Sequence, residues 1–206
     1  MESKEARMSF LESVSEASAE GDVAELYQYE RGRLGYIPNY TRTFSIHPDA
    51  YHAWRRLISS IAKPMEERRY ELVTVAAAGR LRSSYCMLAH GKILRDKFFG
   101  AGAVQLLVED PASAPLDEVD RAVIDLAAKV VVDAGSVTKE DVDGLRALGL
   151  GDREILDVIL AAAARSFFSK VLDATGTLPD HAFNDLAPAL REALTVGRPI
   201  DAGAAP

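Results

Sequence analysis

The sequence predicts an all-α fold. Three observations carry that expectation. Alanine and leucine are abundant, β-branched residues fall mostly within helical periodicity, and no stretch alternates apolar and polar residues as a half-buried strand would. The chain has 206 residues, 48 % of them hydrophobic, which is enough to bury one sizeable core. Residues 1–206 are read as a single helical domain, with an N-terminal extension over 1–19, a first half over 20–110, a second helical half over 116–198 and a loose tail over 199–206.

The elements follow in order. "GDVAELYQYERGRL" reads as a helix stopped by Gly35, with Pro38 beyond it. "GYIPNY" reads as an aromatic loop that covers the core or shapes an entrance. "HPDAYHAWRRLISSIA" enters helix at Pro48-Asp49 and ends before Pro64, and "MEERRYELVTVAAAGRLR" is strongly helical. Ser83 or Ser84 then caps a new helix, "YCMLAHGKILRDKFF". "VEDPASAPLDEVD", with two prolines, is the connector between halves. A helix follows over 117–132, a short one opens at a Thr138/Asp141 capping box, and "DREILDVILAAAARSFFSKVLDA" is the longest of the second half. "ELVTVAAAGR" and "LDVILAAAAR" echo one another, which marks either a duplicated helical unit or the ordinary likeness of buried helices. Arg80 and Arg165, which end these echoes, read as formers of structural ion pairs.

Charge and cysteine usage narrow the function classes. Lys and Arg total 24 against 31 Asp and Glu, a net charge of −7, so neither nucleic acid nor an anionic membrane surface is an expected partner. The most apolar stretch is broken by Asp157 and Arg165 and is too short to span a bilayer, and the first residues lack a signal-peptide pattern. A single cysteine forms no internal disulfide, and the expected compartment is the cytoplasm.

That cysteine, Cys86, lies four residues before His90, one of four histidines. Residues four apart share a helix face, so Cys86, Ala89, His90 and Ile93 form a stripe on which thiol and imidazole would meet. With Ser83 as cap, Cys86 sits in the first turn, where free backbone N–H groups and the helix dipole favour a thiolate. Burial acts the other way, and an inert, packed cysteine is the competing reading. Of the other histidines, His47 belongs to a turn, His52 to the surface or an interface, and His181 has no visible partner.

The stretch Glu71–His90, "ELVTVAAAGRLRSSYCMLAH", resembles the core motif of the alkyl hydroperoxidase D and carboxymuconolactone decarboxylase superfamily. The peroxidase branch has a glutamate, eleven residues, a Cys-x-x-Cys pair, three residues and a histidine. Glu71, Cys86 and His90 fall on the glutamate, second cysteine and histidine, and Ser83 stands at the first cysteine. The flanks "YERGRLGYIPNYTRTFSIHPDAYHAWRRL" and "SFFSKVLDATG" resemble peroxidase-related proteins, and the likeness spans roughly 20–198. It implies an all-α bundle, homo-oligomers, and a second cysteine that attacks peroxide while glutamate and histidine relay its proton. By that likeness Cys86 is the nucleophile, His90 its base, Glu71 the residue orienting His90, and Ser83 a hydroxyl that caps the helix and stabilises the thiolate.

Serine cannot close a disulfide, so an external thiol must resolve oxidised Cys86. Glu71 has a second reading. It lies about 18 Å of helix before Ser83 and His90 only about 10 Å after it, so straight antiparallel helices would set Glu71 against Arg95 or Lys92. The expected activity is thiol-dependent reduction of hydrogen peroxide or organic hydroperoxides, with no organic cofactor and no metal. The alternatives are a carboxymuconolactone decarboxylase-type enzyme and a scaffold of the same fold that binds a small apolar ligand around a packed Cys86.

Overall fold

The computed structural model describes residues 8–203, and among these it is helical with no strand. The helices are α1 (Gly21–Leu34), α2 (Asn39–Phe44), α3 (Pro48–Ala62), α4 (Glu67–Leu81), α5 (Ser84–Leu94), α6 (Gly100–Glu109), α7 (Glu118–Asp133), α8 (Lys139–Ala147), α9 (Asp152–Ala174) and α10 (Pro188–Leu194). Their boundaries have local causes. Gly35, at φ 84°, ends α1 and donates its N–H to the Arg31 carbonyl. Pro48 opens α3 at a position where its missing N–H costs nothing. Asp117 with Asp120, and Thr138 with Asp141, close capping boxes on α7 and α8.

Helices α4, α7 and α9 pack on one another, and α5 lies across α4 and α9. Alanines at the α4–α9 contact (Ala77, Ala161, Ala162 and Ala164) are buried and let the two backbones approach. Two hydrophobic clusters result. One gathers Tyr70, Val73 and Ala77 of α4 with Val123 and Leu126 of α7 and Ile155 to Ala164 of α9. The other gathers Leu72, Val75 and Ala78 of α4 with α5, Phe168 and Leu172 of α9, and Leu190 and Leu194 of α10. Gly91 makes the α5–α10 approach possible, because a Cβ there would lie 2.7 Å from the Leu194 side chain.

Several expectations are corrected. "GYIPNY" is not all loop, since Asn39–Phe44 form α2, held by the Asp180 carboxylate, which accepts from the Asn39 N–H at 2.7 Å. The helix after Ser83 does not run unbroken to Phe99, because it widens to a π-turn over Arg95–Phe99 before Gly100 at φ 75°. The tail is tied down as far as it is described. Asp201 N–H bonds the Pro179 carbonyl at 2.8 Å, the Asn39 amide bonds the Asp201 carboxylate at 3.1 Å, and Ile200 packs on the second cluster. Residues 204–206 of that tail and 1–7 of the extension lie outside the described residues. The rest of the extension is anchored too, with Phe10 N–H on the Thr175 carbonyl at 2.7 Å. No helix among the described residues is long and apolar enough to cross a membrane.

Candidate active site

Cys86 is the third residue of α5. Ser83 precedes the helix in extended conformation, and its carbonyl accepts the first helical bond, from Met87 N–H. The amides of Ser84, Tyr85 and Cys86 therefore have no partner within the helix and place positive potential at its start. The turn that delivers this geometry is tight, with Arg82 in the left-handed region at φ 56°. The chain's C-terminal segment closes over it. Gly197 N–H bonds Ser84 Oγ at 2.7 Å, and Arg82 Nε bonds the Val196 carbonyl at 3.2 Å.

The sulfur is buried, with Cys86 1 % exposed, but its surroundings are not purely apolar. Ser169 Oγ donates to it at 3.2 Å and Arg165 Nη1 at 3.5 Å, both from α9. Arg165 is 3 % exposed and, among the described residues, has no carboxylate at ion-pair distance. Its Nη2 donates to the Tyr70 hydroxyl at 3.3 Å, its guanidinium lies 5.8 Å from the Phe168 ring centre, and its Nε has no partner. Burial works against this cation. The Cys86 sulfur, the Tyr70 hydroxyl and Glu71 outweigh it, so the guanidinium is held above its ordinary value.

His90 faces elsewhere. Its Nδ1 bonds Glu71 Oε2 at 2.5 Å, and its ring stands edge-on to Tyr70 with centres 6.2 Å apart. Burial is the largest influence on the imidazole, and with the Arg165 cation it holds His90 below its ordinary value against the pull of Glu71. The side chain is 15 % exposed, which makes His90 the solvent-side member of the group.

Of the four predicted site residues, only Glu71 and His90 bond one another. Glu71 meets His90, while Arg95 and Lys92 both bind Asp96 instead. The Glu71–His90 contact itself removes the register objection. The expected His90–Cys86 contact is replaced, since the sulfur takes its hydrogen bonds from α9. Ser83 makes neither the cap bond nor a bond to the thiol. Its hydroxyl is fully buried with no partner at hydrogen-bond length, and it acts on the Asp173 carboxyl, which burial raises and Ser83 partly lowers. His47 caps α3, accepting from Ala50 N–H at 3.4 Å, and His181 Nδ1 lies 3.1 Å from the Asp201 carbonyl, so it does have a partner.

Arg165, Ser169 and Tyr70 were missed. Arg165 read as a structural ion-pair former, and among the described residues it has no ion pair. A signal existed in α9, where Ile155, Val158, Ala162, Arg165, Ser169 and Leu172 fall on one buried stripe. Two polar residues one turn apart on such a stripe require a polar partner across the interface. Among the described residues no group of three or more His, Cys, Asp or Glu could hold a metal.

No family model and no curated protein sequence matches the chain. Solved structures do. An alkylhydroperoxidase D core, an uncharacterized peroxidase-related protein from Ralstonia eutropha JMP134, superposes with a TM-score of 0.79 at 22 % identity, over 86 % of this chain and 95 % of its own. A peroxidase-related protein from Silicibacter sp. TM1040 gives 0.79 at 21 %, over 90 % and 98 %. The debrominase Bmp8 gives 0.72 at 17 %, over 93 % and 100 %. The chain therefore has the all-α fold of the alkylhydroperoxidase D-like, peroxidase-related proteins, as its motif implied.

Proposed function

We propose that the protein is a thiol-dependent oxidoreductase of the alkyl hydroperoxidase D-like superfamily that reduces hydroperoxides through Cys86. One observation carries this. The only cysteine of the chain is set in the first turn of a helix and accepts hydrogen bonds from two buried donors, where an inert core cysteine would pack against hydrocarbon. In the step proposed, the Cys86 sulfur attacks one peroxide oxygen. An S–O bond forms, the O–O bond breaks, and the leaving oxygen departs as alkoxide or hydroxide and takes a proton. A small-molecule thiol condenses with the sulfenic acid, releasing water and giving a mixed disulfide. A second thiol molecule reduces it and restores Cys86. The Glu71–His90 pair, on the solvent side, serves as the proton relay to the leaving oxygen.

The fold shared with the debrominase supports a second substrate class, a halogenated aromatic. One structure of that enzyme, in a cysteine-to-alanine variant, is in complex with 2,3,4-tribromopyrrole. One assay set tests both readings. The protein is given hydrogen peroxide, cumene hydroperoxide or tribromopyrrole, each with a dithiol or a monothiol. Peroxide loss or bromide release is followed in wild type and in Cys86→Ser. Peroxide turnover lost in Cys86→Ser is the expected result. Bromide release alone favours the second reading, and no Cys86-dependent turnover of either kind removes both.

A further inference from the structure

We propose that Arg165 is a catalytic residue of this site, the buried counter-ion that holds the Cys86 sulfur as a thiolate, and that His90 does not perform this task. The inference rests on the proposed function only for the identity of the oxidant. A guanidinium that is 3 % exposed must be balanced by a negative charge or it would carry a large desolvation cost. Its direct partners are the Cys86 sulfur, at 3.5 Å, and a Tyr70 hydroxyl. Among the described residues no carboxylate lies at ion-pair distance. The nearby carboxylate, Glu71, is engaged with His90. The sulfur is therefore the group positioned to supply the charge, and Ser169, one turn along α9, gives it a second donor. Arg165 Nε, buried and unpartnered, is a further donor without an acceptor.

The same geometry accounts for the placement of the neighbours. Phe168 lies beneath the guanidinium and keeps it desolvated while contributing a cation–π contact. Tyr70 fixes the outer nitrogen and also stands edge-on to the His90 ring. Together these hold one face of a rigid fork toward the sulfur. When the sulfur attacks a hydroperoxide, its negative charge passes to the leaving oxygen and Cys86 becomes a neutral sulfenic acid. Arg165 is then a cation without a counter-charge until thiol reduction returns the thiolate.

The test reads thiolate formation apart from peroxide chemistry. Iodoacetamide alkylation of Cys86 is followed by mass across pH in wild type, Arg165→Gln, Arg165→Lys, Ser169→Ala and His90→Gln, with circular dichroism reporting folding. At about pH 6, alkylation of Arg165→Gln is expected to be at least tenfold slower than wild type, because the variant lacks the cation that favours the thiolate. Arg165→Lys, which keeps the charge without the fork, is expected to recover part of that loss, and it stands in if the glutamine variant does not fold. Superposable pH profiles for wild type and both Arg165 variants overturn the proposal. So does a larger shift in His90→Gln than in Arg165→Gln. A normal Arg165-dependent profile with no peroxide turnover removes the peroxidase reading and leaves the counter-ion in place.

Discussion

Two side chains one helical turn apart on α5 take different partners, and the reason lies in what each faces. Cys86 looks toward α9 and His90 toward α4. The imidazole's state has a consequence for stability. Burial, then the Arg165 cation, holds it below its ordinary value of 6.5, against Glu71. A histidine depressed in the folded state leaves the unfolded chain to take the proton first as pH falls. Its contribution to stability is therefore complete above about pH 6.5 and is lost below it. Urea midpoints recorded across this range should fall on the acid side in wild type, and His90→Gln should flatten that segment of the curve. An unchanged acid slope in the variant would show that the imidazole is not the group responsible. At this scale the sequence made half of the site legible. Glu71, Cys86 and His90 stand within twenty positions of one another and carry a recognisable spacing. Arg165 and Ser169 lie 79 and 83 positions from the cysteine, and only their seats on a buried helical stripe hinted at them.

The helices with strong periodicity and explicit end signals were legible as elements. α1, α3 and α9 occupy the stretches their patterns mark, and the Thr138 capping box opens α8. α2, α6 and α10 were not legible. α2 is six residues long and α10 seven, too short for a periodic pattern, and tertiary contacts decide their conformation. α6 begins with "GAGA", whose two glycines argue against helix until packing on α10 overrides them. The α5–α10 contact offers a test of packing at this scale. A methyl group at position 91 meets the Leu194 side chain, which is fully buried in the second cluster. Gly91→Ala should cost about 1–3 kcal/mol, as overpacking of a filled interior does, measured by denaturant unfolding. Shortening the opposing side chain in Gly91→Ala/Leu194→Val should recover part of the loss. Additive losses in the double variant would rule out the contact as the cause.

For the molecule as a whole, the site sits where the two hydrophobic clusters meet along α4 and α9. Arg165 follows Ala164 of one cluster and precedes Phe168 of the other. The C-terminal segment then fastens the start of α5 from outside. A Cβ at Gly197 would run into the Arg82 carbonyl, and backbone cannot give way cheaply there. Gly197→Ala should therefore unseat the segment. Hydrogen exchange should speed at the Ser84–Cys86 amides, and iodoacetamide should reach the sulfur several-fold faster. The shape of the pH profile should stay the same, because Arg165 and Ser169 remain on α9. Protection factors equal to wild type would show that the segment fastens nothing.

The long sequence separations across this site also govern when it comes into being. Position 86 leaves the ribosome well before 165 and 169, and 197 emerges last of these. Until then the growing chain carries an ordinary thiol with no cation beside it and no latch over its helix. On the counter-ion role proposed for Arg165, reactivity is conferred only once positions 165 to 197 have emerged, so a nascent chain cut short before them exposes a cysteine but not a nucleophile.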